Sequence, residues 1–387
     1  MPAYLTIDSA TDVRAWSGLN LNIHTAIENA GMDLHPVADN LVAKHTLLPR
    51  IISKSWRLFN RSYLLERNRS IARQWSRHAD LIISKEPKVF TVISTGSIAI
   101  AQLPRHYKTA IWADATFHSL RSTYPGFEKL SPSSISSGDY LESVAYKRAS
   151  LICFASEWAA NDAADFYKVP RSKLAVVPFG ANCDRVFETE SAAASWVAAK
   201  NYAKCHILFV GVDWNRKGGP LVLEAARNLH SLGLPVTLSV VGCSVPDGEA
   251  TAEWVNQYGF LNKQNPEDFA KLDELFKSAH ILCVPSIAEC FGLVYAEASA
   301  YAVPSIARDV GGVSSAIQTN RNGVLLPRQT NAADLAALIK SVWHDRSLYM
   351  NLAVNSYREW SDRLNWTTAG ESFVKNLRST LGSIDLK

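Results

Sequence analysis

Residues 284–312, VPSIAECFGLVYAEASAYAVPSIARDVGG, decide how this chain is interpreted. They hold two glutamates, Glu289 and Glu297, with seven residues between them. The run ILCVPS predicts a strand and Gly292 begins a helical pattern, so Glu289 is expected in the connecting loop. Glu297 then lies about one and a half turns into the helix. Such a strand, loop and helix are typical of a parallel α/β sheet.

The rest of the chain alternates in the same way, and strand–helix alternation predicts parallel sheets with helices on both faces. Strands are expected at 81–84, 89–94, 109–116, 151–156 and 174–180, and then at 206–212, 236–242, 280–286 and 304–310. Helices are expected at 139–150, 157–169, 219–233, 266–279, 292–302 and 331–345. The sequence therefore predicts two doubly wound units, with a polar, Ala-rich segment from residue 182 as the linker.

Composition supports a two-domain globular enzyme. The chain has 387 residues, of which 47% are hydrophobic and 20% charged, and its formal net charge is +4. Nothing in this balance demands a nucleic-acid partner. The six cysteines show no metal-ligand spacing, so we expect reduced thiols in a cytoplasmic protein. We expect no secretory signal and no membrane-spanning helix.

A candidate anion site lies in FVGVDWNRKGGPLVLEA, residues 209–225. A predicted strand ends at Gly211, a loop carries Arg216 and Lys217, and Gly218 with Gly219 opens a helix. The first N–H groups of a helix attract anions, and two cations beside them would neutralise a diphosphate. The alternative is a basic surface turn, but that does not explain the two glycines, which would permit a close backbone approach.

The two glutamates fit the same kind of ligand. A loop carboxylate at Glu289 can accept hydrogen bonds from sugar hydroxyls, and Glu297 can accept two ribose hydroxyls. The backbone N–H groups of Phe291, Gly292 and Leu293 could hold a phosphate between them. The alternative is two unrelated carboxylates at a helix start, which are common because they complement the helix dipole.

A strongly basic segment occupies residues 44–77, with nine basic residues and Glu66 as its one acid. Aromatic and aliphatic residues, among them Trp56 and Trp75, are interleaved with the cations. Two interpretations stay open. A basic helix of this kind can lie on an anionic membrane surface, or it can be a solvated helix that packs one apolar stripe on the core.

Taken together, the motifs ECFGLVYAEA, VGVDWNRKGG and VPSIARDVGG resemble the retaining GT-B glycosyltransferases of glycosyltransferase family four. WSG at 16–18, WADATF at 112–117 and VVPFGAN at 176–182 resemble that family's N-terminal strand ends. The resemblance implies two facing Rossmann-like doubly wound domains, with a C-terminal helix that crosses back to the first. We expect an acceptor-binding domain at 1–182, a nucleotide-sugar-binding domain at 183–360, and the crossing helix at 361–387.

The resemblance also implies roles for individual residues. Arg216 and Lys217 would neutralise the leaving diphosphate and Glu289 would contact the transferred sugar. The remaining implied donor contacts are Gly18, Phe291, Gly292, Leu293 and Glu297. Asp114 would lie near the acceptor and count with Arg216, Lys217 and Glu289 among the catalytic residues. We expect no cofactor and no metal, since the sequence contains no DxD.

The implied activity is transfer of a hexose from a GDP- or UDP-linked donor to an acceptor hydroxyl, with retention. The acceptor would be a glycan or a lipid-linked precursor at the inner face of a membrane. Two rivals stay open: an epimerase or phosphorylase of the same fold, and a non-catalytic sugar-nucleotide-binding subunit. Two departures from the family pattern are Val212, where relatives often carry an arginine, and Ser315, where they often carry a glutamate.

Overall fold

The structure is a computed structural model that describes residues 1–7, 10, 15–37, 52–56, 58–86, 89–246 and 252–382. The chain divides into two compact units. Unit 1 consists of Met1–Pro178 and Trp366–Lys387, and unit 2 is Phe179–Asn365. The domain boundaries predicted after residues 182 and 360 stay predictions.

Unit 1 is built on a six-stranded sheet in the order β2-β1-β3-β4-β5-β6. All of its strand pairs are parallel, because helices return the chain to the same edge each time. Its strands are β1 (Ala3–Leu5), β2 (His35–Pro36), β3 (Thr91–Ser94), β4 (Lys108–Ala113), β5 (Leu151–Phe154) and β6 (Leu174–Val176). Its helices before the linker are α1 (Leu19–Asn29), α2 (Arg69–Ile83), α3 (Phe117–Thr123), α4 (Pro132–Arg148) and α5 (Glu157–Asp165).

Helix α2 corrects one expectation and shows how part of the basic segment packs. The strand predicted at 81–84 is wrong, because these residues continue α2 to Ile83. The helix begins where Asn68 accepts hydrogen bonds from the N–H groups of Ser70 and Ile71. Its apolar stripe recurs every four residues and is buried, with Ile71 0% and Trp75 2% exposed. Residues 69–83 thus pack one apolar stripe on the core, and Arg69, Arg73 and Arg77 lie on the exposed face of the helix.

Unit 2 is built on a second six-stranded parallel sheet in the order β12-β11-β10-β7-β8-β9. Its strands are β7 (Cys205–Val210), β8 (Val236–Val241), β9 (Val255–Gly259), β10 (Ile281–Cys283), β11 (Ser305–Arg308) and β12 (Gly323–Leu326). Its helices are α6 (Glu190–Ala199), α7 (Gly219–Ser231), α8 (Pro266–Ser278), α9 (Leu293–Ala300), α10 (Val313–Ala316), α11 (Ala332–His344) and α12 (Arg346–Arg363). The order is that of a doubly wound dinucleotide-binding sheet, with its reversal between β7 and β10.

The last helix, α13 (Trp366–Leu381), belongs to unit 1. Gly370 permits its contact with α1, since a Cβ there would lie 2.1 Å from the carbonyl oxygen of Ala26. Phe373 stacks on Trp112 of β4 at 4.8 Å between ring centroids and an interplanar angle of 7°. The prediction of a C-terminal helix that crosses back to the first unit is confirmed. Among the described residues, no helix combines the length and the apolar character needed to cross a bilayer.

The amino-terminal edge of the unit 2 sheet holds a buried histidine among other basic groups. His280 is 3% exposed, and its Nδ1 accepts a hydrogen bond of 3.1 Å from the backbone N–H of His206. The rings of Trp343 and Tyr202 pack against the imidazole, with centroid distances of 4.9 and 5.0 Å. Burial, together with the charges of Lys200, His206 and Arg346, lowers the pKa of His280 to about 3. The folded chain therefore holds His280 neutral.

Acid should accordingly destabilise unit 2. The pKa of His280 is lower in the folded than in the unfolded chain, so the unfolded chain binds more protons as pH falls below about 6.5. Between pH 7 and 5 this single group should cost about 2 kcal/mol of stability. Urea unfolding at both pH values measures this loss of stability. In His280→Gln the loss between pH 7 and 5 should be smaller than in the wild type by that amount. His344→Gln, which changes an exposed histidine, should lose as much stability as the wild type. Equal acid sensitivity of the wild type and His280→Gln would contradict the prediction.

Candidate functional site

The candidate site of unit 2 lies where the strand order reverses. β7 and β10 are neighbours, with Ile207 opposite Ile281 and Leu208 opposite Leu282. The loops that follow them, 211–218 and 284–292, begin at the same edge of the sheet. Ligands of doubly wound sheets bind at this edge beside the reversal point. The topology therefore places the two predicted motifs at the position where a ligand is expected.

The loop after β7 is held by its own side chains. The backbone N–H of Arg216 donates to Asp213 Oδ1 at 2.9 Å. A Cβ on Gly218, whose φ is +82°, would lie 2.3 Å from the carbonyl oxygen of Pro285, and a Cβ on Gly219 would lie 2.1 Å from the ring of Trp214. Packing within the chain thus accounts for both glycines, which we had expected to admit a ligand.

The two loops are joined at Glu289, which is 8% exposed. Lys217 Nζ forms an ion pair with Glu289 Oε2, and the Ser286 hydroxyl donates to the same oxygen at 3.3 Å. Arg216 Nη1 lies 3.9 Å from that oxygen and donates to the carbonyl of Ala288 at 3.1 Å. The backbone N–H of Ile287 donates to the carbonyl of Arg216 at 2.8 Å. The predicted residues Arg216, Lys217 and Glu289 therefore form one cluster with fixed side chains.

The backbone of Glu289 depends on the glycines of DVGG. A Cβ on Gly311, at φ +54°, would lie 1.9 Å from the carbonyl oxygen of Glu289. The N–H of Gly312 donates to that oxygen at 3.2 Å. The sequence did not predict this contact between DVGG and Glu289. The spacing gave no signal for it, because the contact joins the ends of two different strands.

Helix α9 begins directly after this cluster. Gly292 caps it at φ +86° and, as a glycine, has no side chain that could accept a hydrogen bond from the first N–H groups of the helix. The ring of Phe291 is 2% exposed and packs edge-on against Phe179 at 5.7 Å, so its side chain is not open to a ligand. The expected contacts of Phe291, Gly292 and Leu293 are thus limited to the backbone of Phe291 and the helix start.

Glu297 lies on α9 with 8% of its side chain exposed. Lys263 Nζ is 2.5 Å from Glu297 Oε1 and also donates to the carbonyl of Asn182 at 3.3 Å. Lys263 comes from the polar loop between β9 and α8. The sequence did not predict this ion pair, because no motif links residues 263 and 297.

Gly18 and Asp114 belong to unit 1, whereas Arg216, Lys217, Glu289 and Glu297 belong to unit 2. Gly18 caps α1 and follows Trp16 and Ser17, and all three have positive φ, at 79°, 49° and 57°. Successive left-handed residues other than glycine are strained and occur at functional sites. Asp114 follows β4 and is half-buried. His118, on α3 just after β4, pairs through Nδ1 with Asp162 Oδ1 at 2.6 Å and stacks on the ring of Phe166.

Residues 193–359 match the family model described as glycosyl transferases group 1. This segment is a group 1 glycosyltransferase domain. The resemblance inferred from ECFGLVYAEA is therefore confirmed. The matched segment contains the cluster at Glu289 and the Glu297 pair.

Two curated relatives of this chain are named as glycosyltransferases. The D-inositol 3-phosphate glycosyltransferase of Nocardia farcinica (strain IFM 10152) is 27% identical over 234 residues, which cover 57% of this chain and 51% of that protein. The enzyme of the same name from Geodermatophilus obscurus is 30% identical over 229 residues, covering 56% and 49%. The chain thus spans about half the length of the curated relatives it matches.

Solved structures match over nearly the whole chain. A sucrose-phosphate synthase from Thermosynechococcus elongatus gives a TM-score of 0.69 at 15% identity, covering 98% of this chain and 99% of that one. The structure of Anabaena HepE in complex with UDP-glucose gives a TM-score of 0.61 at 16% sequence identity. The match covers 98% of this chain and 100% of that one. At these identities the comparison establishes the fold. The group 1 glycosyltransferase domain is part of a chain with the GT-B fold, as predicted.

Proposed function

We propose that this chain transfers a hexose from a UDP- or GDP-linked donor to an acceptor hydroxyl, with retention of configuration and without a metal. The observation that carries the proposal is the cluster of Arg216, Lys217 and Glu289 at the reversal point of the unit 2 sheet. Arg216 and Lys217 are held in place by contacts within the chain, beside the first turns of α7 and α9. Positive charge at this position stabilises the negative charge of a departing diphosphate.

The proposed chemistry follows from where charge develops. The bond between the anomeric carbon and the diphosphate oxygen breaks, and its electron pair leaves with the diphosphate. The acceptor oxygen bonds to the same face of that carbon, and its proton passes to the departing phosphate oxygen. Arg216, Lys217 and the helix starts lower the barrier because they stabilise the growing negative charge. Glu289 contacts the sugar and Glu297 the ribose.

In unit 1, Gly18 would contact the donor and Asp114 would lie near the acceptor. Val212 and Ser315 reduce the likeness to the family pattern. Val212 is 67% exposed after β7 and supplies no charge, so phosphate binding rests on Arg216 and Lys217.

A direct assay separates the proposal from its rivals. UDP-, GDP- and ADP-sugars are screened by thermal shift, since a ligand at a hundred times its Kd stabilises by about 2.7 kcal/mol. Release of the nucleoside diphosphate is then measured with and without candidate glycan acceptors. Transfer predicts acceptor-dependent release that persists in EDTA. An epimerase would convert the donor without acceptor, and a non-catalytic subunit would bind without turnover.

We further propose that the acceptor is a glycan or lipid-linked precursor, and that the enzyme works in the cytoplasm on the inner membrane face. The exposed face of α2 supports this, because it presents Arg69, Arg73 and Arg77 at intervals of four residues. Leu58 and Phe59 are 85% and 72% exposed, so apolar side chains are available in the same basic segment. Residues 44–51 and 57 of the basic segment lie outside the described residues.

Vesicle sedimentation checks the membrane proposal. Binding to vesicles that contain anionic lipid should fall with salt, and replacing Arg69, Arg73 and Arg77 by glutamine should weaken it at least tenfold, at about 1 kcal/mol per charge. The matched control replaces three exposed basic residues of unit 2 by glutamine: Arg185, Lys204 and Arg328. Sedimentation that is indifferent to salt and to both triple changes would mean that α2 is only a solvated face.

A further inference from the structure

A buried glutamate of unit 1, Glu142 on α4, has no role in the transfer chemistry proposed for unit 2. It is 3% exposed. Its Oε2 accepts a hydrogen bond of 2.7 Å from the backbone N–H of Phe117, and its Oε1 accepts one of 3.2 Å from the hydroxyl of Ser97. Phe117 begins the helix after β4, and Ser97 lies in the loop after β3, the neighbouring strand. One side chain therefore joins the segments that follow two adjacent strands.

Tyr146, Tyr167 and Arg67 also contact this carboxyl group. Tyr146 lies one turn further along α4 and donates its hydroxyl to Oε1 at 2.8 Å. The Tyr167 hydroxyl lies 3.4 Å from Oε2, and Arg67 Nη1 lies 3.6 Å from the same oxygen. Both oxygens of Glu142 therefore have hydrogen-bond donors, which fix the side chain in one orientation.

Helix α4 holds Phe117 by its ring as well as by its backbone. Gly138 lies one turn before Glu142, and a Cβ there would come within 2.2 Å of the Phe117 ring. The guanidinium of Arg67 lies over the same ring, 3.8 Å from its centroid. Phe117 is fully buried. The first residue of α3 is therefore fixed against α4 by two contacts.

Asp114 lies in the short connection between β4 and α3. The strand ends at Ala113 and the helix begins at Phe117, so three residues connect them. The strand is fixed in the sheet by its pairing with β3 and β5, and the helix start is fixed by Glu142. The position of Asp114 therefore depends on the contact between Glu142 and Phe117.

Stability alone does not explain a carboxyl group at position 142. Glu142 and Arg67 form a buried ion pair, with 4% and 13% of their side chains exposed. Apolar replacements of such pairs are often neutral or stabilising, because they avoid the cost of desolvating charge. A carboxyl group can, however, accept hydrogen bonds from several directions, which an apolar side chain cannot do. What Glu142 adds is a fixed geometry for the segments after β3 and β4.

We propose that Glu142 is a positioning residue that sets Asp114 for the acceptor by fixing the first residue of α3. The consequence for transfer rests on the proposed function. A misplacement of about 1 Å at a group that orients a substrate can cost about 10²-fold in rate. Loss of the Glu142 contacts should therefore lower kcat/KM for the acceptor by about that factor. The KM for the donor should stay within about twofold, since the cluster of unit 2 is unchanged.

Three substitutions at position 142 test this. Glu142→Leu removes every acceptor and should show the full loss of about 10²-fold. Glu142→Asp withdraws the carboxyl group by one methylene and should lose about tenfold, so it carries the test if the leucine variant does not fold. Glu142→Gln should stay within about threefold of the wild type, because its amide oxygen can accept from Phe117 and its NH₂ group can donate to the Ser97 hydroxyl. Wild-type kinetics in both Glu142→Leu and Glu142→Asp, or an equal loss in Glu142→Gln, would overturn the proposal.

A double-mutant cycle with Asp114→Ala shows whether Glu142 acts through Asp114. Residues that act as a unit are not additive. Once Asp114 has been replaced, Glu142→Asp should cost less than about threefold more. If Glu142→Asp costs as much without Asp114 as with it, Glu142 does not act by positioning Asp114, and the proposal fails.

Hydrogen exchange followed by mass spectrometry tests the anchoring without any substrate. Peptides that cover residues 113–123 should lose protection in Glu142→Leu and Glu142→Asp but keep it in Glu142→Gln. Unchanged protection in the first two variants would overturn the proposal. If protection is lost as expected but the wild type transfers no sugar from any donor, the proposed function fails while the anchoring of the Asp114 segment stands.

Ile83→Ala is the matched control for a general loss of stability. Ile83 is 1% exposed and ends α2, at the opposite end of that helix from Arg67. Truncating it should lower the melting temperature but leave both the acceptor kinetics and the exchange of residues 113–123 unchanged. A loss of kcat/KM in Ile83→Ala as large as in Glu142→Asp would reduce the role of Glu142 to stability and contradict the proposal.

Discussion

Replacing Lys217 by methionine is expected to lower kcat/KM for glycosyl transfer by a factor of about 10²–10³, the usual cost of removing one fixed group that stabilises developing negative charge. Lys217 is 13% exposed and ion-paired with Glu289, so its position is set before a ligand arrives. The variant also leaves the buried carboxylate of Glu289 without its ion-pair partner. Most of the loss should therefore be in kcat, with a smaller rise in KM for the donor.

The measurement is initial rate against donor concentration, at saturating acceptor. Lys204→Met is the matched control, because Lys204 is an exposed lysine just before β7 and at the opposite edge of the same sheet. Lys217→Arg should recover part of the rate, since it keeps the charge but not the shape of the ammonium. Wild-type turnover by Lys217→Met would remove the cluster at Glu289 from the mechanism.

Replacing Phe373 by alanine is expected to destabilise unit 1 by about 3–5 kcal/mol, as is typical when a buried aromatic side chain is truncated. Phe373 is fully buried, and its ring is stacked on that of Trp112, which is also fully buried. The Trp112 indole N–H donates to the carbonyl of Val177 at 3.0 Å, so the indole cannot move freely to fill the cavity. The cost should therefore fall in the upper part of the range.

Hydrogen exchange followed by mass spectrometry can resolve the two units separately. Peptides that cover β4 and β5 should lose protection in Phe373→Ala, whereas peptides from β7 and β8 should not. Lys375→Ala, at an exposed position on the same helix, is the control. A uniform loss across both sheets would show that the units unfold together and would contradict a local role for α13.

The sequence predicted the parts of the fold that carry strong apolar patterns. The runs at 206–212, 280–286 and 304–310 became β7, β10 and β11, which are buried on both faces. The strands β9 and β12 were missed. VNQYG in β9 is only partly buried at the sheet edge and has no apolar run, and GVLL in β12 is only four residues long. Edge strands need few apolar residues, so periodicity does not detect them.

The candidate site shows the same limit. Motif spacing brought out Arg216, Lys217, Glu289 and Glu297, because each follows the end of a recognisable strand. Lys263 and the contact of Gly311 with Glu289 were missed, since they join segments that only the folded sheet brings together. The strand predicted at 81–84 failed because the apolar end of a helix and a short buried strand look alike in four residues; in α2, Leu81 is 65% exposed and Ile83 is buried.

Because α13 lies at the end of the chain, the order of synthesis delays the completion of unit 1. Unit 2 is one continuous stretch, Phe179–Asn365, whereas unit 1 needs residues from both sides of it. When the ribosome has finished the strands of unit 1, the segment that supplies Gly370 and Phe373 has not yet been translated. We therefore expect the surface around Trp112 and α1 to stay uncovered through the synthesis of an entire second unit, which makes the nascent first half a natural client for a chaperone.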